Sequence, residues 1–180
     1  ILIDRAQRGL RVVRLKGGDP FVYGRGGEEV QACLAAGIAV DVVPGISSIV
    51  AVAGAAGIPV THRGTAAAMH VVNGQDAPTP ATLAALRDAQ TTTVVLMGVS
   101  ALARFVEAAL GAGADPQLPV AIVESGHTDS QRTTRSTLSA ITSDALAAGV
   151  QNPAVMIFGH VADAALLQPA EIFAPSLVGE

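Results

Sequence analysis

The chain has 180 residues, half of them hydrophobic, 14% charged and only 3% aromatic. Such a composition supplies a core of Ala, Val and Gly, excludes disorder as the dominant state, and allows one large domain or two small ones. A net charge of -4 and a pI near 5.5 speak against a general nucleic-acid surface, and with Cys33 as the only cysteine there is no internal disulfide, which is compatible with the cytoplasm.

In chain order, residues 1–10 have the pattern of a helix finishing near Gly9, so the chain is expected to begin inside a domain. The β-branched run 12–15 reads as a buried strand that ends in Lys16-Gly17-Gly18-Asp19-Pro20. A second glycine cluster, Gly24-Arg25-Gly26-Gly27, leads into a helix over 28–36, with acids in its first turn and Gly37 as its stop. Residues 38–43 read as a strand. The turn Pro44-Gly45 comes next, then a small-residue helix over about 48–56 that Ser47 or Ser48 is placed to cap. The whole apolar stretch 38–60 is long enough to span a membrane, but Asp41, Pro44 and Pro59 interrupt it.

The punctuation of 57–64 suggests a linker, which divides the chain into domains over 1–62 and 63–180. Beyond it, strands are predicted over 68–72, 92–97, 119–124, 131–138 and 154–159. Helices are predicted over 80–89 (Thr79 as cap, Pro80 at the first position), from Ser100 to 110, and over 138–148 with Gly149 as the stop. The tail from Ala164 is weakly patterned. The alternation indicates an α/β protein.

Two adjacent glycines after a strand let backbone approach a ligand, because no Cβ intervenes. Taken alone, Gly-Gly-Asp-Pro serves equally as a plain turn. Gly24-Arg25-Gly26 is not a dinucleotide fingerprint, since Glu29 stands where the third glycine belongs, and this disfavours a dinucleotide-dependent oxidoreductase. The four histidines lack metal-ligand spacing, so no metal is expected.

The string LKGGDPFVYGRGGEE (15–29) closely resembles the signature of the tetrapyrrole methylases, in particular the branch that C-methylates uroporphyrinogen III. VVPGISS (42–48), AGIPVTHRG (56–64), VVLMG (94–98), VESG (123–126) with Gln131-Arg132, and NPAVMIFGHV (152–161) occur in the family's order over nearly the whole chain.

The resemblance implies two α/β domains with the cofactor cleft between them, the first domain being incomplete here. It implies S-adenosylmethionine as cofactor, conversion of uroporphyrinogen III through precorrin-1 to precorrin-2 for sirohaem and cobalamin, a homodimer, and no nucleic-acid or membrane partner. The cofactor-binding positions carried over by motif are Gly17, Gly18, Asp19, Val22, Ser47, Ser48, Met97, Gly126, Pro153 and Ala154. Ser48 departs from the family's commoner alanine. Glycines expose backbone, Met and Val pack on adenosine, and hydroxyls bond polar edges.

Outside the resemblance, Met97 reads equally as core and Gly126 as a strand-end turn. A multiply carboxylated substrate calls for cations, and Arg25, His62, Arg63 and Arg132 lie in or beside the motif loops; solvated surface charge is the alternative for each. The resemblance places the acid–base groups upstream of these residues, so no catalytic residue is named. A methylase of a later corrin precursor and an inactive ligand-binding module of the same fold remain alternatives.

Overall fold

The computed structural model describes residues 1–167, so the end of the weakly patterned tail lies outside the described residues. The chain divides into two compact units, Ile1–Ser48 and the remainder from Ile49. This division falls before the expected boundary after residue 62. The reason lies in the bonds that residues 52–56 make with the second unit: Val52 packs on Gly126, Gln131 Nε2 donates to the Ala55 carbonyl (3.1 Å), and Arg135 Nη2 donates to the Ala56 carbonyl (3.1 Å).

In the first unit, helix α1 (Leu2–Gln7) ends ahead of Gly9, whose φ of +79° is the left-handed geometry of a helix stop. Helix α2 (Gly26–Ala35) starts two residues earlier than predicted, after a left-handed Arg25, and carries Glu28 and Glu29 in its first turn. The strands predicted over 12–15 and 38–43 do not form among the described residues. A strand exists only through a ladder with a neighbour, and neither segment has one. Their apolar side chains consequently stand open: Val13 is 80% exposed, Leu15 82% and Val43 80%.

Helix α3 (Ser48–Ala55) opens immediately after Ser47. The second unit then builds a five-stranded mixed sheet from β1 (Ala68–Asn73), β2 (Thr91–Leu96), β3 (Pro119–Glu124), β4 (Arg132–Thr137) and β5 (Ala154–Phe158), in the order β1-β2-β5-β3-β4. Only β1 and β2 run parallel; β5 is inserted antiparallel between β2 and β3, and β3-β4 is an antiparallel pair.

Helices α4 (Pro80–Arg87), α5 (Leu102–Gly111) and α6 (Ile141–Ala147) cover one face. Val95, Val120, Ile122, Met156 and Phe158 alternate along the central strands into a core with Leu86, Phe105, Val106 and Ile141, in which the Phe105 and Phe158 rings lie 5.2 Å apart. The opposite face is buried too, through Val94, Ala121, Val123, Val155 and Ile157. Burial on both faces explains the continuous apolar runs, here in strands that pair mostly antiparallel.

Thr79 caps α4, its hydroxyl accepting from the Thr82 amide (3.2 Å), with Pro80 at the first position. Ser100 does not cap α5; it lies inside a short 3-10 turn, Val99–Ala101, that feeds the helix. Helix α6 begins only at Ile141 because Leu138 and Ser139 still bond to the Leu118 and Pro116 carbonyls.

Candidate functional site

Two loops of the first unit, 14–24 and 44–48, enclose a cleft of about 340 Å³ lined by Gly17, Gly18, Asp19, Val22, Ser47 and Ser48, with Arg14 and Lys16 on the wall. The volume lies at the lower end of the range for small-molecule sites. Asp19 organises it. One carboxylate oxygen accepts from the Phe21 amide (2.9 Å) and the other from the Gly45 amide (3.1 Å), which ties the loops together. The Gly45 amide foremost, then that of Phe21, holds its carboxyl below the ordinary aspartate value.

Gly45 is required where it stands: a Cβ there would lie 2.7 Å from the Gly18 carbonyl oxygen and 2.9 Å from its carbon. Gly17 and Gly18 are different. Neither has a positive φ, a Cβ on Gly17 would meet nothing within 4 Å, and one on Gly18 would make ordinary contact with the Ile46 carbonyl at 3.5 Å. The fold of this unit does not demand glycine at either, yet a Cβ at either would occupy the wall of the cleft.

Lys16 and Arg14 are engaged by Glu29, at 2.7 Å and 3.0 Å, with the Lys16 side chain only 11% exposed. Lys16, then Arg14, holds the Glu29 carboxyl below its ordinary value. Sequence reasoning passed over Arg14, Lys16 and Gly45 as site residues, although two cations just ahead of a Gly-Gly pair were a readable signal.

The remaining cofactor candidates belong to the second unit. The registers Leu96↔Val155 and Glu124↔Ala154 bring Met97, Gly126, Pro153 and Ala154 to one end of the sheet, where β2 and β3 finish and β5 begins. Three non-glycine residues there are left-handed: Met97 (φ 57°), Ser125 (φ 48°) and His127 (φ 64°). Such backbone costs about 1–3 kcal/mol per residue and clusters at ligand sites. Met97 is 39% exposed, so it is not a core residue.

Gly126 has a packing cause: a Cβ would lie 2.8 Å from both methyls of Val52. The Asn152-Pro153 bond is cis, and the Pro153 carbonyl accepts from the Ser125 amide (2.9 Å).

Of the substrate candidates, Arg25 pairs with Glu28 at 3.2 Å on an exposed helix start. His62 shares a hydrogen bond with the Thr65 hydroxyl (3.2 Å), and Arg63 beside it is exposed. Arg132 is committed elsewhere: it bonds Glu124 (2.6 Å) and the carbonyls of Ala148 and Gly149 (3.2 Å each). Arg25 is in the first unit; in the second, His62 and Arg63 open a small turn closed at Ala66, and Arg132 opens β4. Among the described residues no group of three or more His, Cys, Asp or Glu is placed to hold a metal, and no helix is long and apolar enough to cross a membrane.

Residues 1–142 match the family model of the Tetrapyrrole (Corrin/Porphyrin) Methylases. The chain is 43% identical over 171 residues to a siroheme synthase of Gluconobacter oxydans, covering 93% of this chain and 36% of that one. It is also 43% identical over 168 residues to an S-adenosyl-L-methionine-dependent uroporphyrinogen III methyltransferase of Methanosarcina barkeri, covering 89% of this chain and 65% of that one. The chain thus spans about a third of the first relative and under two thirds of the second. Among solved structures, the uroporphyrin-III C-methyl transferase of Thermus thermophilus complexed with S-adenyl homocysteine is similar at a TM-score of 0.71 and 39% identity, over 89% of this chain and 68% of that one. On the family match and these identities, the chain belongs to the tetrapyrrole methylases.

Proposed function

We propose that the protein binds S-adenosylmethionine and C-methylates uroporphyrinogen III, by way of precorrin-1, to precorrin-2. The observation that carries the reading is the cleft whose wall is glycine at 17 and 18 although neither φ nor the packing of the loop asks for it. Bare backbone there suits a ligand that must lie flat against the loop. The cofactor's fit is supported by the cleft's volume and by the amides and hydroxyls at its wall. The names of the methanogen relative and the Thermus structure point to the same cofactor.

In this reading Gly17, Gly18 and Asp19 lie under the cofactor, and Val22, Ser47 and Ser48 line it. Met97 packs on the adenosine, and Gly126, Pro153 and Ala154 face the adenine. When bound, the cofactor supplies an electrophilic methyl group on a sulfonium. The residues named here hold and orient rather than exchange protons, so their contribution is placement of the reacting carbon in line with that methyl. Arg25, His62 and Arg63 are the cations offered to substrate carboxylates; Arg132 is omitted because Glu124 and two carbonyls occupy it. A cytoplasmic homodimer whose product feeds sirohaem and cobalamin completes the reading. Calorimetric titration of the full-length protein with S-adenosylhomocysteine and with NAD tests it, together with methyl transfer from labelled cofactor to uroporphyrinogen III. Heat only with NAD would refute it, and cofactor binding without turnover on uroporphyrinogen III would move the reading to another tetrapyrrole or to an inactive module.

A further inference from the structure

Glu124 ends β3 and is only 4% exposed. Its Oε1 accepts from Arg132 Nη2 (2.6 Å) and from the Gln151 amide (2.9 Å), while its Oε2 is buried with no hydrogen-bond partner among the described residues. The same guanidinium donates to the carbonyls of Ala148 and Gly149, at 3.2 Å each. One residue further on, the Ser125 amide donates to the Pro153 carbonyl (2.9 Å), and Glu124 itself is registered opposite Ala154. One ion pair therefore grips the segment 148–154 at Ala148, Gly149 and Gln151, and the adjoining backbone grips it again at Pro153.

Stability alone does not account for this arrangement. The Arg132 side chain is 55% exposed, so the cost falls on the Glu124 carboxylate, which must be stripped of water where an apolar side chain of equal volume need not be. Leaving Oε2 without a donor adds to the cost. What the pair achieves that an apolar contact cannot is directional: it fixes named backbone atoms of the short connection between the C-terminal end of α6 and the start of β5.

We propose that Glu124 and Arg132 are positioning residues for the adenine end of the cofactor site, acting by fixing the 148–154 segment so that Pro153 and Ala154 present their backbone in one place. The inference rests on the proposed function, in which Pro153 and Ala154 face the adenine. Neither side chain touches the cofactor; both act through the backbone they hold.

The test is calorimetric titration of the full-length protein with S-adenosylhomocysteine, with thermal melting and amide exchange of the protein without ligand alongside. Glu124→Met keeps the volume and removes the grip; it should melt near the wild-type temperature, speed exchange at the Gln151 amide, and weaken S-adenosylhomocysteine about tenfold. Glu124→Gln keeps an acceptor for the Gln151 amide and should recover most of the affinity. Arg132→Met releases the same segment from the solvent side and should weaken binding in the same direction, which covers the case of a Glu124→Met protein that does not fold. The KM for the tetrapyrrole should not move in any of them. Wild-type affinity in Glu124→Met, or in Arg132→Met where Glu124→Met fails to fold, would overturn the inference alone, whereas a wild-type protein that does not bind S-adenosylhomocysteine would overturn the cofactor reading and this inference with it.

Discussion

Replacing Gly45 by alanine asks whether the two cleft loops must pass as closely as they do. The new Cβ would sit 2.7 Å from the Gly18 carbonyl oxygen, 2.9 Å from its carbon and 3.1 Å from the Asp19 nitrogen. All three neighbours are backbone, so no side chain can swing aside. Relief needs the loops to part by roughly 0.7 Å to reach ordinary contact, and tightly packed backbone resists that. The Gly45 amide would move with its residue, and the 3.1 Å bond to Asp19 would stretch out of hydrogen-bonding range. Overpacking of this kind costs about 1–3 kcal/mol, at roughly 2–4 °C of melting temperature per kcal/mol for a chain of this size. Gly18, Asp19, Ser47 and Ser48 all belong to the cleft wall, so S-adenosylhomocysteine affinity should fall about tenfold or more. Thermal melting and calorimetric titration of the full-length protein measure both effects. Gly27→Ala is the control: it lies in the same unit, in α2, with nothing within 4 Å of the added Cβ, and should be neutral or slightly stabilising. A Gly45→Ala protein that melts and binds like wild type would show that the loops part freely and that the cleft does not depend on their close pass.

Gly17→Ala should leave melting unchanged, because its Cβ meets nothing within 4 Å, while weakening the cofactor about tenfold; unchanged affinity would make the Gly-Gly pair an ordinary turn. Asp19 has a depressed folded pKa, so its hold on Gly45 is complete above the ordinary aspartate value and is lost as pH falls through the depressed one. Followed by the Gly45 amide resonance, that acid limb should be present in wild type and absent in Asp19→Asn, which at neutral pH already lacks one of the two amide acceptors. Met97→Ala should cost under about 1 kcal/mol in stability, in keeping with a side chain 39% exposed, and should weaken the cofactor several-fold; a loss of about 2–5 kcal/mol with unchanged affinity would return Met97 to the core.

Much of the second unit was legible because its signals are local. Thr79-Pro80 sets a helix start, Gly149 at φ 62° sets a stop, and β2, β3 and β5 are apolar runs bounded by turns. What a neighbour decides was not legible. Residues 12–15 and 38–43 have the composition of strands and no ladder partner among the described residues, and composition cannot supply one. The antiparallel insertion of β5 between β2 and β3 depends on long-range pairing that no local pattern encodes. Nor do the left-handed positions at Met97, Ser125 and His127 carry a glycine to announce them.

The string from Val123 to Arg132 shows how a motif can be read for the wrong partner. Its Glu, Gly, Gln and Arg resemble a ligand signature, and in that light Arg132 is a cation for substrate. Each has a nearer cause. Glu124 and Arg132 face each other across the first registered pair of the β3-β4 hairpin, Gly126 makes room for Val52, and Gln131 bonds the His127 amide and the Ala55 carbonyl. The sequence brought the two close: strands predicted to end at 124 and to begin at 131, joined as a hairpin, leave Glu124 and Arg132 within a residue of facing each other, and the observed ladder sets 124 opposite 132. The functional weight of the string then lies in what those bonds hold still, the left-handed turn at 125–127 and the segment 148–154, rather than in a side chain reaching for a ligand.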